Sequence, residues 1–307
     1  RGLVGSEMCI RDREFFVEEP YRILSENMNA GYVNRLADCV RKVMARNDSE
    51  GIIITHGTDT LQYTAALLSY VFGTDCVPVL LVSSDFPLED ERANGMANFM
   101  RAVEFIKCRE GRGVFVSYRN DRNEEADIYR GTRLLMHQPY SARLYPLDGV
   151  SFHGKVCYNR EASMDRMERP DGQELRLTED AGNILWIRPC VGMTYPQAGP
   201  QVRAVLHDSY HSGTIAVNAG LEEFAGRMEQ AGIPVYLTGA SSGEAEYETV
   251  RMYEQYGIRV LPKMSLIAAY CKLWLALSND LDVNSIMNTC IAEDIIQVGN
   301  CETLKFL

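Results

Sequence analysis

The chain of 307 residues is 46% apolar and carries a formal net charge of -11, so it can bury a core large enough for two domains. The negative charge argues against binding to nucleic acid, which attracts basic surfaces, and no apolar run approaches the roughly 18 residues that a membrane span needs. The nine cysteines are scattered singly without a CxxC pair, which favours reduced thiols in the cytoplasm over a disulfide scaffold.

The first residues of the chain show neither helical nor strand periodicity. The chain begins with Arg1 rather than methionine, and residues 1–13 resemble a translated sequencing adapter. We therefore expect residues 1–13 to be a non-native leader and the domain to begin near Glu14. An ordinary polar tail is the alternative.

Short apolar runs alternate with amphipathic stretches through the first half of the chain. Runs rich in Val and Ile, separated by helical patterns, are typical of a parallel sheet covered on both faces. They predict an N-terminal α/β domain over residues 14–164. Its predicted elements, in chain order, are a helix at Ala30–Arg46, a strand at Ile52–Thr55, a helix at Leu61–Phe72, a strand at Val77–Ser83, a helix at Gly95–Cys108 and a strand at Gly113–Tyr118.

Residues 165–182 are rich in charge and contain Pro170 and Gly172, which predicts a linker. The alternation then resumes and predicts a smaller C-terminal α/β domain over residues 183–307. Its predicted strands are Ile184–Arg188, Gly213–Val217 and Pro234–Thr238, and its predicted helices are Leu221–Ala231, Ala245–Tyr256, Ser265–Ser278 and Val283–Ile296.

The run His56-Gly57-Thr58-Asp59-Thr60 lies where the strand at Ile52–Thr55 gives way to the helix at Leu61–Phe72. Small ligands bind at such turns in open α/β sheets. The run resembles the HGTDT motif of the L-asparaginase family, and Ser25-Glu26-Asn27-Met28 resembles the substrate-binding serine loop upstream of it. Alone, Asp59 and Thr60 would be interpreted as helix caps, but two motifs in this order favour a site.

Further matches to the same family follow in the expected order. Pro78–Pro87 resembles its PVVLTGSQxP strand and loop, Arg92–Gly95 resembles its SDGxxN helix start, and Val205–Thr214 resembles its VVLEAYGSGN segment. The resemblance runs from about Glu14 to the C-terminus. It implies an asparaginase-like α/β fold of two domains, each a mostly parallel sheet flanked by helices, with the first strand of the N-terminal domain missing.

The resemblance implies a hydrolase that cleaves the side-chain amide of asparagine, or a related amide, to release ammonia. Such chemistry needs an activated hydroxyl nucleophile. The family uses two threonines: one on a TGGTI loop is acylated, and the other, matched by Thr58, forms a catalytic triad with a lysine and the aspartate matched by Asp59. Ser25, Glu26, Thr58 and Asp59 form the implied substrate-binding set, in which Asp59 holds the α-ammonium by a charge-assisted contact. The family also implies a homodimer or homotetramer that uses neither a metal nor a cofactor.

Two departures from the family pattern concern catalysis. No TGGTI segment, which carries the acylated threonine in the family, occurs in this sequence, and a chain that begins partway into the domain explains this most simply. Met136 follows Arg130–Arg133 by three residues, where the family has its triad lysine, and no lysine lies between Lys107 and Lys155. Methionine cannot accept a proton, and losing a positioned base typically costs about 10²–10⁴ in rate.

Three functions therefore stay open. The first is hydrolysis of asparagine to aspartate and ammonia, and the second is a family member that binds aspartate or asparagine without turnover. The third is an amidase acting on a glutaminyl group carried by a partner. The sequence does not separate the substrates, because one methylene in a pocket changes binding by only about 1–3 kcal/mol.

Other polar residues have weaker chemical interpretations. His137, next to Met136, is a minor candidate for a base because histidine titrates near neutrality. His207 and His211 would share one face of a helix, as metal ligands can, but no glutamate or cysteine accompanies them, so no metal site is expected. The loop Gly239–Glu244 could hold an anion at a helix N-terminus, although an ordinary loop is favoured.

Overall fold

A computed structural model describes residues 14–147, 163–180, 183–240 and 248–296. The predicted leader, residues 1–13, lies outside these ranges, as do residues 241–244 of the loop considered for anion binding. None of the helices in the described ranges is both long and apolar enough to cross a bilayer.

The helices begin and end at residues with specific capping contacts. The side chain of Asn29 accepts a hydrogen bond from the N–H of Tyr32 at the start of the first helix, which ends before Asn47 in the left-handed conformation (φ 54°) that asparagine tolerates. Short 3₁₀ turns lie at Ser25–Asn27 and Gly131–Arg133. The α-helices are α1 (Ala30–Arg46), α2 (Leu61–Phe72), α3 (Gly95–Lys107), α4 (Ala219–Gln230), α5 (Glu248–Gln255), α6 (Leu266–Ser278) and α7 (Val283–Asn288).

The strands form two main sheets. The first has the order β1-β2-β3-β4, in which β1, β2 and β3 are parallel and β4 is antiparallel. The second, β6-β7-β8-β9, is parallel throughout, and β5 pairs with β10. The predicted fold of two mostly parallel sheets flanked by helices is confirmed. The strands are β1 (Ile52–Thr55), β2 (Val79–Val82), β3 (Val114–Tyr118), β4 (Asp127–Arg130), β5 (Ser163–Met164), β6 (Ile184–Ile187), β7 (Ala204–His207), β8 (Val235–Leu237), β9 (Ile258–Val260) and β10 (Cys290–Ile291).

Strand β1 is an edge of the first sheet in the part of the chain that the structure describes. Ile52 and Ile53 are only half-buried, whereas every residue of the neighbouring β2 is buried. Because β1, β2 and β3 run in parallel, their carboxyl ends lie along one edge of the sheet. The loops that follow these three strands therefore meet there, where ligands bind in open α/β sheets.

Helices α2 and α6 join the two halves of the molecule through one apolar cluster. Both helices are apolar on nearly every face, as expected of helices enclosed by protein. The charged stretch predicted as a linker packs against them through three of its apolar side chains. The domain boundaries themselves stay a prediction. The cluster includes Ala66, Leu67, Tyr70, Met167, Leu175, Leu177, Ile267, Ala268, Cys271 and Leu275.

The predicted strand at Gly213–Val217 is wrong. Ile215 is buried, but its backbone N–H and carbonyl both bond to the hydroxyl of Tyr253, at 2.8 and 2.9 Å, rather than to another strand. Gly213 also has a left-handed φ of 74°, which interrupts extended backbone. The backbone hydrogen bonds of the buried Ile215 are therefore made to a side chain and not to a strand. The apolar periodicity of the sequence does not distinguish the two cases.

The predicted helix at Val283–Ile296 is too long. Helix α7 ends at Asn288, and β10 follows. Ala292 and Glu293 then have φ values of 49° and 59°, a left-handed pair that no α-helix contains.

Candidate active site

The His56–Thr60 run leaves the carboxyl end of β1 and leads into α2. The N–H of His56 donates to the carbonyl of Val82 at 2.8 Å, so the ladder between β1 and β2 extends to the first residue of the run. The helix ladder begins at Thr60, whose carbonyl accepts the N–H of Thr64 at 3.1 Å. The run therefore forms a short turn with ends fixed by a strand and a helix.

Ser25 lies against this turn. Its hydroxyl donates to Oδ2 of Asp59 at 3.3 Å, and its carbonyl accepts the hydroxyl of Thr60 at 2.9 Å. A Cβ atom placed on Gly57 would lie 2.5 Å from the hydroxyl oxygen of Ser25, so only glycine allows this approach. Because the hydroxyl of Thr60 bonds to the carbonyl of Ser25, it does not cap the N-terminus of α2. The interpretation of Thr60 as a helix cap is therefore wrong.

The four residues predicted to bind substrate occupy different environments. Ser25 is buried and Thr58 half-buried, whereas Asp59 and Glu26 are exposed. Glu26 shares the 3₁₀ turn of Ser25, but its side chain makes no hydrogen bond or ion pair with any described residue. The structure thus brings Ser25 and Asp59 into contact and leaves the carboxylate of Glu26 in solvent.

The hydroxyl of Thr58 donates to the carbonyl of Ser84 at 3.1 Å. Ser84 belongs to the loop after β2, and its own hydroxyl donates to the carbonyl of Phe86 at 2.6 Å and accepts the N–H of Gly95 at 3.2 Å. The loop that holds Thr58 is therefore itself fixed to the start of α3. A carbonyl oxygen orients a hydroxyl but cannot take its proton.

His56 is a positioning residue that the sequence analysis did not identify. Its Nδ1 lies 2.7 Å from the carbonyl of Gly57, which can only accept, so Nδ1 carries the proton. Its Nε2 then accepts the hydroxyl of the buried Thr64 at 2.9 Å. Burial lowers the pKa of His56, and the bond to Gly57 acts in the opposite direction without offsetting it. The neutral ring connects the turn to α2.

Met136 and His137 lie in largely apolar surroundings. Met136 is half-buried and packs against the cluster that joins α2 and α6. The ring of His137 meets the ring of Tyr118 edge-on at 6.2 Å, and its buried Nε2 has no hydrogen-bond partner among the described residues. Neither residue makes a hydrogen bond or an ion pair with Thr58 or Asp59.

The two histidines of the second half do not form the pair that a helix would make. His207 ends strand β7 and is fully buried, with Nε2 at 3.2 Å from the hydroxyl of Tyr195. His211 is exposed, in a turn. In the described ranges, no group of three or more His, Cys, Asp or Glu side chains has the arrangement of a metal site.

Comparison with known proteins identifies relatives for most of the chain. Residues 5–143 match the family model described as "Asparaginase, N-terminal". A glutamyl-tRNA(Gln) amidotransferase subunit from Metallosphaera sedula is 26% identical over 287 residues, which is 87% of this chain and 63% of that protein. The protein of the same name from Methanococcus maripaludis strain C5 is 38% identical over 213 residues, 65% of this chain and 47% of that protein. The chain thus spans less than two thirds of these relatives.

Solved structures have the same fold at low sequence identity. The thermostable L-asparaginase from Thermococcus kodakarensis superposes with a TM-score of 0.68 at 22% identity, covering 90% of this chain and 84% of that one. L-asparaginase I from Vibrio cholerae gives a TM-score of 0.65 at 23% identity with the same coverage of both chains.

Proposed function

Because residues 5–143 match the asparaginase family model and the fold superposes on two L-asparaginases, we propose that the chain is an amidohydrolase of this family acting on the side-chain amide of asparagine or a related amide. The observation that carries the proposal is the contact between Ser25 and Asp59 at 3.3 Å, beside the hydroxyl of Thr58. The turn that follows β1 holds the carboxylate of Asp59 and the hydroxyl of Thr58, and the hydroxyl of Ser25 lies against that turn. These are the groups that an amino-acid amide needs.

Each group has a chemical role in the proposed reaction. The exposed carboxylate of Asp59 binds the α-ammonium of the substrate, and the hydroxyl of Ser25 turns to its α-carboxylate. Thr58 serves the acyl transfer, in which a threonine hydroxyl attacks the amide carbon, the nitrogen leaves as ammonia after gaining the hydroxyl proton, and water hydrolyses the ester. Glu26 stays a predicted substrate contact at the exposed rim.

A second candidate function is binding of aspartate or asparagine without turnover. The observation that favours it is Met136, which stands in apolar contacts where the family pattern has a lysine. The described residues give Thr58 a carbonyl partner and no base. Binding through Ser25 and Asp59 needs no base, so it does not depend on a lysine at position 136.

The choice of amide is the finer part of the proposal. The curated relatives carry the name of a glutamyl-tRNA(Gln) amidotransferase, so an amide carried by a larger partner is the third candidate. Free asparagine is the substrate that we favour, because the net charge of -11 repels a polyanion such as tRNA. We further propose a homodimer or homotetramer in the cytoplasm, which light scattering and cell fractionation would test.

Ammonia release and calorimetry on the 307-residue protein separate these functions. Ammonia is measured from asparagine and from glutamine for the unmodified protein, for Thr58→Ala and for Thr178→Ala, an exposed threonine outside the site. Release that is lost only in Thr58→Ala supports the amidohydrolase. Aspartate binding without release supports the second function, and neither binding nor release contradicts both.

A further inference from the structure

A cavity lies along the same edge of the first sheet as the candidate active site. It has a volume of about 410 Å³, lies between the loops that follow β2 and β3, and is open to solvent on one side. The hydroxyl of Thr58 bonds to Ser84, and the next residue, Asp85, lines the cavity. The cavity is therefore a neighbour of the active site and is formed by different side chains.

One of the three arginines that line this cavity is already paired. The guanidinium of Arg92 contacts the carboxylate of Asp90 at 2.7 Å and lies 4.0 Å from the centre of the Phe86 ring. Arg92 thereby forms a wall of the cavity, and its charge is largely balanced by Asp90.

The two carboxylates of the lining are also engaged. Asp85 accepts the backbone N–H of Asn94 at 3.0 Å, and Asp121 accepts the backbone N–H of Asn123 at 3.0 Å. Arg143 approaches Asp121 at 3.7 Å. These contacts direct the two carboxylates to the loops that they stabilise.

Arg119 and Arg122 are the lining charges that lack a carboxylate partner among the described residues. Arg119 donates to the carbonyl of Ala93 at 3.1 Å through Nη2, while its buried Nε has no partner within the described ranges. Arg122 is exposed and makes no hydrogen bond or ion pair with a described residue. The guanidinium of Arg119 thus has hydrogen-bonding capacity that the described residues do not use, and a charged donor pairs favourably with an anion.

We propose that this cavity binds a small anion through the guanidinium groups of Arg119 and Arg122. Carboxylate and phosphate each present two oxygens that can accept a pair of parallel hydrogen bonds from the planar guanidinium of arginine. The ring of Phe86 gives the cavity one apolar wall, which suits a ligand with a short carbon skeleton. The site is independent of amide hydrolysis and stands whether or not Thr58 is catalytic.

Titration calorimetry on the 307-residue protein tests this site with two probes, inorganic phosphate and succinate, at constant ionic strength. Arg122→Gln is the main variant because Arg122 is exposed, and we expect its loss to leave the fold intact. Arg119→Gln is the second variant. Arg109→Gln is the matched control, an exposed arginine outside the cavity. Comparison of the two probes separates a phosphate ligand from a carboxylate ligand.

We expect saturable binding of at least one probe, weakened about tenfold or more in Arg122→Gln and Arg119→Gln, as for the loss of a charge-assisted hydrogen bond. Arg109→Gln should bind as the unmodified protein does. Absence of saturable binding for both probes, or equal affinities in Arg122→Gln and Arg109→Gln, would overturn the proposal.

Discussion

The hydroxyl of Ser25 lies 3.3 Å from Oδ2 of Asp59, although 34 residues separate them in the sequence. The contact forms because the 3₁₀ turn at Ser25–Asn27 packs onto the turn between β1 and α2. The hydroxyl of Thr60 also bonds to the carbonyl of Ser25, and the lack of a side chain on Gly57 leaves room for Ser25 to pack against the turn. The candidate site is therefore a contact between two turns.

Ser25→Ala should weaken aspartate binding by about tenfold to 150-fold, because one hydrogen bond to a charged group is lost. The control is Ser49→Ala, in which the removed hydroxyl also bonds to an aspartate, Asp48 at 3.2 Å, outside the site. Calorimetry with aspartate measures both variants. Equal affinities in the two would remove Ser25 from the binding set.

Gly57→Ala should disturb the site more than its size suggests. The new Cβ would lie 2.5 Å from the hydroxyl oxygen and 2.6 Å from the Cβ of Ser25, so Ser25 must move. We expect a loss of about 1–3 kcal/mol in unfolding free energy, as for other overpacked sites, and at least tenfold weaker aspartate binding. Gly226→Ala, where a Cβ meets open space in α4, should be neutral or stabilising. Similar behaviour of the two variants in urea unfolding would contradict this account.

Met136→Lys should raise ammonia release if the amidohydrolase proposal holds. The lysine would restore the group that the family pattern has at this position, and a positioned base contributes about 10²–10⁴ in rate. The protein should also lose stability, because Met136 is half-buried in apolar contacts. Met96→Lys, at a methionine that is 60% exposed, is the control. No gain over Met96→Lys would show that residue 136 does not reach Thr58.

Lys272→Met should be strongly destabilising. Lys272 Nζ lies 2.7 Å from Oδ2 of Asp294, and both side chains are fully buried; Tyr70 donates to the same oxygen at 2.9 Å. Removing one partner leaves a buried charge and typically costs about 3–5 kcal/mol.

The double variant Lys272→Met with Asp294→Asn should recover most of that loss, since no unpaired charge remains. Guanidinium unfolding measures both variants. Arg22→Ala, which breaks an exposed pair with Glu19, should cost less than about 1 kcal/mol. A double variant as unstable as Lys272→Met would mean that packing, and not charge, dominates.

Stability should fall as the pH drops below about 6.5. Burial lowers the pKa of His56 and of His207 in the folded protein, while the unfolded chain has the ordinary value near 6.5. Well above that pH the two histidine rings are neutral in both the folded and the unfolded state, so they do not make stability depend on pH. Below it the unfolded state binds more protons, so folding weakens until the folded pKa is reached.

The variant His56→Gln with His207→Gln should flatten the pH dependence between pH 7 and pH 5, whereas His211→Gln, at an exposed position, should leave it unchanged. Urea unfolding at fixed pH values measures the slope. An unchanged slope in the double variant would assign the acid sensitivity to carboxylates.

The amino-acid sequence by itself determined the elements in which apolar periodicity is strong. The bounds of α1, β1 and α2 agree with the prediction at both ends, because their apolar faces and flanking polar residues are encoded locally. The strand at Gly213–Val217 failed, because the hydroxyl of Tyr253 replaces a neighbouring strand there. This contact joins Ile215 to a residue 38 positions away in the sequence, so a local sequence pattern does not predict it.

Only the tertiary structure decided the chemistry around the site. The motifs named Ser25 and Asp59, but the packing of two turns made their hydrogen bond. No sequence pattern indicates the role of His56 between Gly57 and Thr64. None indicates that Nε of Arg119, beside the cavity, lacks a partner among the described residues. Periodicity reports which face of an element is buried, whereas a site depends on which buried and exposed groups meet across elements.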